Sequence, residues 1–245
     1  MGTGAGDVKD LGDAFPFIVH HPSLLLHSAG TMLAVAAIAM AVALVISVPA
    51  GVWLGHLHRG SFLAINFSNV LRALPSLAFI AILIAPLGLG RSTLILALVV
   101  LAVPPILTNA YTAVDGVDPD IVDAARGMGM RERDVLLRVE LPLALPLLFA
   151  AIRTAAVYVV ATVPLGALAG TVGGLGDIIV NQASYRLAGV LGAAICVAAL
   201  ALLVDALFAG LQRIVTPRGL RARVDYAAIQ SEAAGAMPPP VSIPI

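Results

Sequence analysis

The chain has 245 residues, of which 60% are hydrophobic and 11% charged, and its formal net charge is zero. A soluble domain carries about 25% charged residues, so this composition, with a mean hydropathy of +1.01, excludes an ordinary water-soluble globule and makes bilayer the expected solvent. Zero net charge leaves no electrostatic footprint for nucleic acid. One cysteine, Cys196, excludes an internal disulfide and a cysteine-built metal cage.

Residues Met1 to Asp13 hold three aspartates and one lysine, with no apolar stretch directly behind them. That is not a cleavable signal peptide, and 1–22 reads as an N-terminal segment outside the bilayer. Five apolar segments follow, each near the roughly 20 residues that cross a ~30 Å hydrocarbon layer as a helix. The first lies within Ser28–Gly55, the second spans about Ala73 to Leu89, and the third lies within Ser92–Val114. The fourth runs from about Leu145 to Leu168 around Arg153, and the fifth from about Leu187 to Leu211 around Asp205. Most are Leu, Val, Ala and Ile on every face, as helices among lipid and other helices should be. The alternation of a membrane barrel is absent. The expected fold class is therefore an all-α integral membrane protein, with a transmembrane domain over 23–216 and a mobile tail over 217–245 that carries Pro238-Pro-Pro240.

Orientation follows from Lys and Arg. Five spans sort the loop charges into Arg59, Arg126, Arg131, Arg133, Arg138, Arg213, Arg218, Arg221 and Arg223 on one side and Lys9, Arg91 and Arg186 on the other. The richer set belongs in the cytoplasm, which places the N-terminus outside and the C-terminus inside. Asp205 is costly at bilayer depth without a partner, and Arg72 or Arg153, toward the inner ends of their spans, is the expected one. His20, His21, His27, His56 and His58 fall near span edges, where interfacial placement suffices, and no metal-binding spacing is present.

A polar island interrupts this pattern at about 115–142. Asp118-Pro119 is a helix start, with Asp as N-cap and Pro at the first position, and Asp120 adds charge favourable to the positive helix end. Ala124 and Ala125 lead to Gly129, which can end the helix in the left-handed conformation. A second short helix is expected over about Arg131 to Val139, lacking a capping side chain at Arg131, and Pro142 marks the start of the fourth span. The adjacent alanines leave a shallow surface that another protein could approach closely. From charge and helix signals alone, an ordinary charged loop between two spans is the favoured account of the island.

The run Asp123-Ala-Ala-Arg-Gly-Met-Gly129, followed ten residues on by Val139-Glu-Leu-Pro142, resembles the "EAA---G---------I-LP" signature of the permease subunits of binding-protein-dependent ABC importers. Asp123 replaces the usual Glu, and Val139 the usual Ile. Arg72-Ala-Leu-Pro-Ser76, Pro104-Pro-Ile-Leu-Thr-Asn-Ala-Tyr111, Ala151-Ile-Arg-Thr-Ala155 and Gly173-Gly-Leu-Gly-Asp177 look like the osmoprotectant branch, which imports glycine betaine, choline, carnitine and proline betaine; methionine permeases share part of the pattern. The resemblance covers roughly 25–216 and implies the type I importer fold with five core helices. It implies that Asp123, Ala124, Ala125, Gly129, Val139, Leu141 and Pro142 belong to the loop that docks on the ATPase. The implied partners are a second permease subunit, identical or related, two ATP-binding subunits and an extracytoplasmic solute-binding protein. ATP and Mg would be bound by the partner ATPase, so no cofactor, metal or catalytic residue is expected in this chain.

Lys9 is the sole lysine and lies outside any phosphate-cradling loop. Gly173-Gly-Leu-Gly176 lacks that lysine and reads as a turn or a close helix contact. Asn109, Tyr111, Thr162, Asn181 and Gln182 are polar groups in or beside spans and form the candidate translocation pathway, with helix packing as the alternative for each. A stand-alone channel or carrier lacks an internal repeat, and an intramembrane enzyme lacks a nucleophile with its base.

Overall fold

The computed structural model describes residues 14–58, 74–171 and 174–215, which are helical with no strand among them. A short helical stretch over 14–20 precedes α1 (Pro22–His56), α2 (Ser76–Leu87) and α3 (Arg91–Asp115). The polar island holds α4 (Pro119–Gly127), α5 (Glu132–Val135) and a π-helical turn over Leu136–Glu140. Then come α6 (Leu141–Thr162), the single turns α7 (Leu165–Leu168) and α8 (Leu175–Val180), and α9 (Gln182–Val215). Four of these bodies are long and apolar enough to cross a membrane: α1, α3, the stretch Glu132–Leu168 that holds α5, the π turn, α6 and α7, and α9. The fifth apolar segment, α2, has 12 residues, about 18 Å of helix, and is shorter than the expected second span.

Three other points differ from the sequence expectation. Pro142 stands in the first turn of α6, where the fourth span is expected to start, but it does not part that span from the loop helix, because the backbone runs helically from Glu132 into α6. The missing N–H of Pro142 falls where a wider π turn already loosens the α ladder. The fourth span instead breaks at its far end, where α6 stops at Thr162 and Pro164 opens α7. α9 begins early, at Gln182, and is kinked at Arg186, whose φ is 56°. Lys9, Arg59, Arg72 and the tail over 217–245 lie outside the described residues.

α1 and α3 form the axis of the bundle. They approach closely because α1 offers no side chain at two successive turns. A Cβ on Gly51 would stand 2.6 Å from both the Ala110 Cβ and the Leu107 carbonyl oxygen, and one on Gly55 would stand 2.7 Å from the Tyr111 carbonyl oxygen. This is the small-residue spacing by which membrane helices bring backbones together. Ser47 Oγ donates to the Val103 carbonyl at 3.2 Å across the same interface. Gly55→Val is expected to force the pair apart, at about 1–3 kcal/mol of overpacking, read as a lower thermal midpoint of the purified protein.

Around this axis Met32, Val35, Ala39, Leu94, Leu98, Ile106, Val159 and Leu175 fill one core. α8 closes one end through Gly174, where a Cβ would stand 2.5 Å from the Ser28 carbonyl oxygen. Gly174 and Gly176 thus make close backbone contacts within the bundle. A second, smaller core of Val52, Ala110, Val114, Val117, Val122, Ala125, Val135 and Leu136 sits at the other end, under the polar island.

Candidate functional site

The polar island folds onto that second core as a braced elbow. Asp118 accepts a hydrogen bond from the Asp120 N–H at 3.1 Å and Pro119 occupies the first turn, so α4 starts with a capped end. Gly129 takes a φ of 84°. The Met130 N–H donates to the Ala125 carbonyl at 3.3 Å and the Gly129 N–H to the Arg126 carbonyl at 2.9 Å, the bond pattern of a glycine-terminated helix.

α4 has two faces. Val122 and Ala125 are buried in the core beneath it. Ile121, Ala124 and Met128, spaced three and four residues apart on one stripe, face outward, and Met128 is 77% exposed. The alanine pair is therefore divided: Ala124 belongs to the free surface and Ala125 anchors the helix to the bundle. Asp123 and Gly129 are exposed, whereas Val139, Leu141 and Pro142 are half-buried, Val139 and Leu141 against the second core.

Charges fix the elbow. Arg126 Nε and Nη2 each donate to Glu132 at 3.1 Å, closing α4 onto α5. These hydrogen bonds hold the Glu132 carboxyl below its ordinary value and push the Arg126 guanidinium up. A carboxyl with a depressed folded value contributes above the usual carboxylate range and loses that contribution only as pH falls through the lowered value. The clamp therefore stands throughout the neutral range. Asp123 adds a weaker contact to Arg126 at 3.7 Å, of the exposed kind that contributes little.

Beneath the clamp, His56 at the end of α1 reaches into the loop. Its Nδ1 lies 2.7 Å from Glu140 Oε2 and its Nε2 3.6 Å from Glu132 Oε2. Both His56 and Glu140 are buried, Glu140 to 1% exposure. His56 is thus not an interfacial side chain but the meeting point of α1, α5 and the π turn. The signal in the sequence was Glu140 itself, a lone acid between Val139 and Leu141 at the mouth of an apolar run.

The other sequence-selected residues do not converge on one place. Asn109 lines a cavity of about 320 Å³ between α3 and α6 together with Leu101, Pro105, Thr154 and Tyr158. Its amide Nδ2 donates to the Pro105 carbonyl at 2.8 Å. Pro105 has no N–H for the carbonyl four residues back, that of Leu101, so two residues of the lining share one broken rung of the helix. Tyr111 is buried. Thr162 Oγ1 donates to the Tyr158 carbonyl at 2.7 Å, and Asn181 and Gln182 are exposed at the start of α9. Thr154 and Tyr158 escaped the sequence reading because helical spacing alone does not say which face borders a cavity. For Asp205 the structure takes Arg153: Nε and Nη2 donate to the two carboxylate oxygens at 2.5 Å. Arg72 lies outside the described residues.

Long apolar spans, with a capped, clamped helix packed on one end of the bundle, define a helical multi-pass membrane protein among the described residues. The chain belongs to the family of the binding-protein-dependent transport system inner membrane component, which it matches over residues 47–219. It is 37% identical over 198 residues to the glycine betaine/carnitine/choline transport system permease protein OpuCB of Bacillus subtilis (strain 168), covering 80% of this chain and 91% of that one. It is 33% identical over 195 residues to the osmoprotectant import permease protein OsmW of Salmonella typhimurium, with 76% and 88% covered. In fold it is similar to the inward-facing MetNI methionine ABC transporter, with a TM-score of 0.70 at 24% identity over 80% of this chain and 99% of that one.

Proposed function

We propose that the chain is the permease subunit of an ATP-driven importer for glycine betaine-type osmoprotectants. The observation that carries this is the elbow: α4 presents Ile121, Ala124 and Met128 outward on a helix locked at both ends. That is what a push from a soluble motor requires. The names of the relatives support the cargo class. In this reading α4 seats on one of two ATP-binding subunits, which hold ATP and Mg. A second permease, identical or related, completes the pathway, and an extracytoplasmic receptor delivers solute. The elbow and C-terminus face the cytoplasm and the N-terminus faces outward, in a bacterial plasma membrane. Asp123, Ala124 and Gly129 form the docking surface; Ala125, Val139, Leu141 and Pro142 fasten it to the bundle.

The cavity between α3 and α6 is the pathway candidate. Tyr158 offers an aromatic face and Asn109 and Thr154 offer polar groups, which suits a quaternary ammonium that needs no hydrogen bond of its own. Tyr111, Thr162, Asn181 and Gln182 stand outside this lining. Cells carrying the whole transporter should accumulate radiolabelled glycine betaine, with unlabelled choline and carnitine competing. Absence of betaine uptake together with uptake of methionine would replace the cargo and keep the permease.

A further inference from the structure

We infer that the buried His56–Glu140 pair is the strut that carries motion of the docking helix into the first membrane span. Three observations converge on it. First, His56 is the last residue of the 35-residue α1, so whatever holds its ring holds the end of a helix that crosses the whole bundle. Second, the ring touches both parts of the loop: Nδ1 meets Glu140 at 2.7 Å and Nε2 meets Glu132 at 3.6 Å. Glu132 in turn grips Arg126 on the last turn of α4 through two bonds of 3.1 Å. A displacement of α4 therefore reaches α1 through two side-chain contacts, Arg126–Glu132 and Glu132–His56, without passing along the covalent chain, and Glu140 holds the His56 ring in place for the second.

Third, Glu140 is costly where it stands. It is 1% exposed, and its Oε1 has no hydrogen-bond partner among the described residues. A buried carboxylate with half its capacity unused destabilises relative to an apolar residue of similar size. The π turn over Leu136–Glu140 is what turns it inward. Successive positions four apart drift around an α-helix by about 40°, and a turn of roughly 4.4 residues brings Leu136, Glu140, Ala144 and Leu148 back onto one buried face. Packing alone would place leucine there. A directional, hydrogen-bonded contact at that position serves transmission, because it fixes one relative placement of α1 and the loop where greasy packing would let them slide. His56 and Glu140 are positioning residues in this scheme. They touch neither solute nor nucleotide. The inference rests on the importer reading and is independent of the cargo.

The test uses the complete transporter in proteoliposomes. The variants are His56→Leu/Glu140→Leu, which removes both polar partners and leaves no unpaired charge, and His56→Asn, whose amide can replace Nδ1 as donor to Glu140. Glycine betaine is the probe, and the ratio of ATP hydrolysed to solute imported is the readout. The double leucine variant should keep ATP hydrolysis while the ratio rises on the order of tenfold, and His56→Asn should recover most of the coupling. A second readout needs no cargo: spin labels at exposed Leu57 and Arg138, on a Cys196→Ala background that removes the free thiol. The distance between them should stay sharp on ATP binding in the wild type and broaden in the double leucine variant. Lack of wild-type betaine uptake would count against the cargo alone, since the spin-label distances still decide the strut. A wild-type ratio and sharp distances in the double leucine variant would overturn the inference. Failure of both variants to assemble would overturn it too, because the pair would then hold the fold and not carry motion.

Discussion

Gly129→Asp should cut solute uptake on the order of a hundredfold while leaving the protein in the membrane. The residue sits at a φ of 84°, with nothing within 4 Å of the position a Cβ would take. A side chain therefore fits in space but strains the backbone by about 1 kcal/mol, too little to unfold a helical bundle. The damage lies in placing a charged side chain on the surface shared with Ala124 and Met128. Gly129→Asn separates the two effects, because Asn tolerates the left-handed region and carries no charge. Uptake should fall on the order of a hundredfold in the Asp variant, a loss of about 2.7 kcal/mol in coupling, and remain largely intact in the Asn variant. Uptake near wild type with Asp in place would reduce the elbow to a connector. The assay is radiolabelled uptake normalised to the amount of protein in the membrane.

The second large effect concerns Arg153 and Asp205. Their paired contacts, both 2.5 Å, clasp α6 to α9 in the middle of otherwise apolar helices. A second clasp lies nearby, where Gln212 Nε2 donates to the Pro146 carbonyl at 3.1 Å. Asp205→Leu leaves an arginine at bilayer depth without its counter-charge, a costly state in hydrocarbon. The expected result is a sharp loss of monodisperse protein after detergent extraction and a lower thermal midpoint. Arg153→Leu/Asp205→Leu should recover most of both, since removing the two charges together leaves no orphan. A double variant as poor as Asp205→Leu alone would mean that the pair sets the register of the two helices.

Much of this architecture is written in hydropathy. The spans over α1, α3, α6 and α9 emerge from composition because lipid imposes a length and forbids unpaired backbone. The elbow is equally visible, because Asp118 and Pro119 favour a helix start, Gly129 tolerates the left-handed turn that ends it, and all three are used so. What escaped follows from how helices turn. Ala124 and Ala125 are adjacent in sequence and so about 100° apart around the axis; one faces out and one faces in, and the sequence does not say which. The π turn shifts register by a fraction of a residue, which no alternation of apolar and polar residues records. His56 and Glu140 are 84 positions apart, and nothing local ties them. Pro142 falls in the first turn of α6, as its place in the sequence implies, yet does not interrupt the helix before it. A proline ends a helix in water, but within a chain already loosened by a π turn it costs the ladder little.

The unequal burial of the spans also bears on how such a chain can drift over evolutionary time. α3 has neighbours on most sides and packs its backbone against α1, whereas α9 leaves Leu202, Leu203, Leu207 and Ile214 uncovered. An outward position of α9 accepts almost any greasy side chain. Positions on α3 facing Gly51 and Gly55 accept only what the gap allows. Sequence divergence among descendants of such a chain should therefore accumulate on one flank of the molecule, and its central pair should serve as the slow clock.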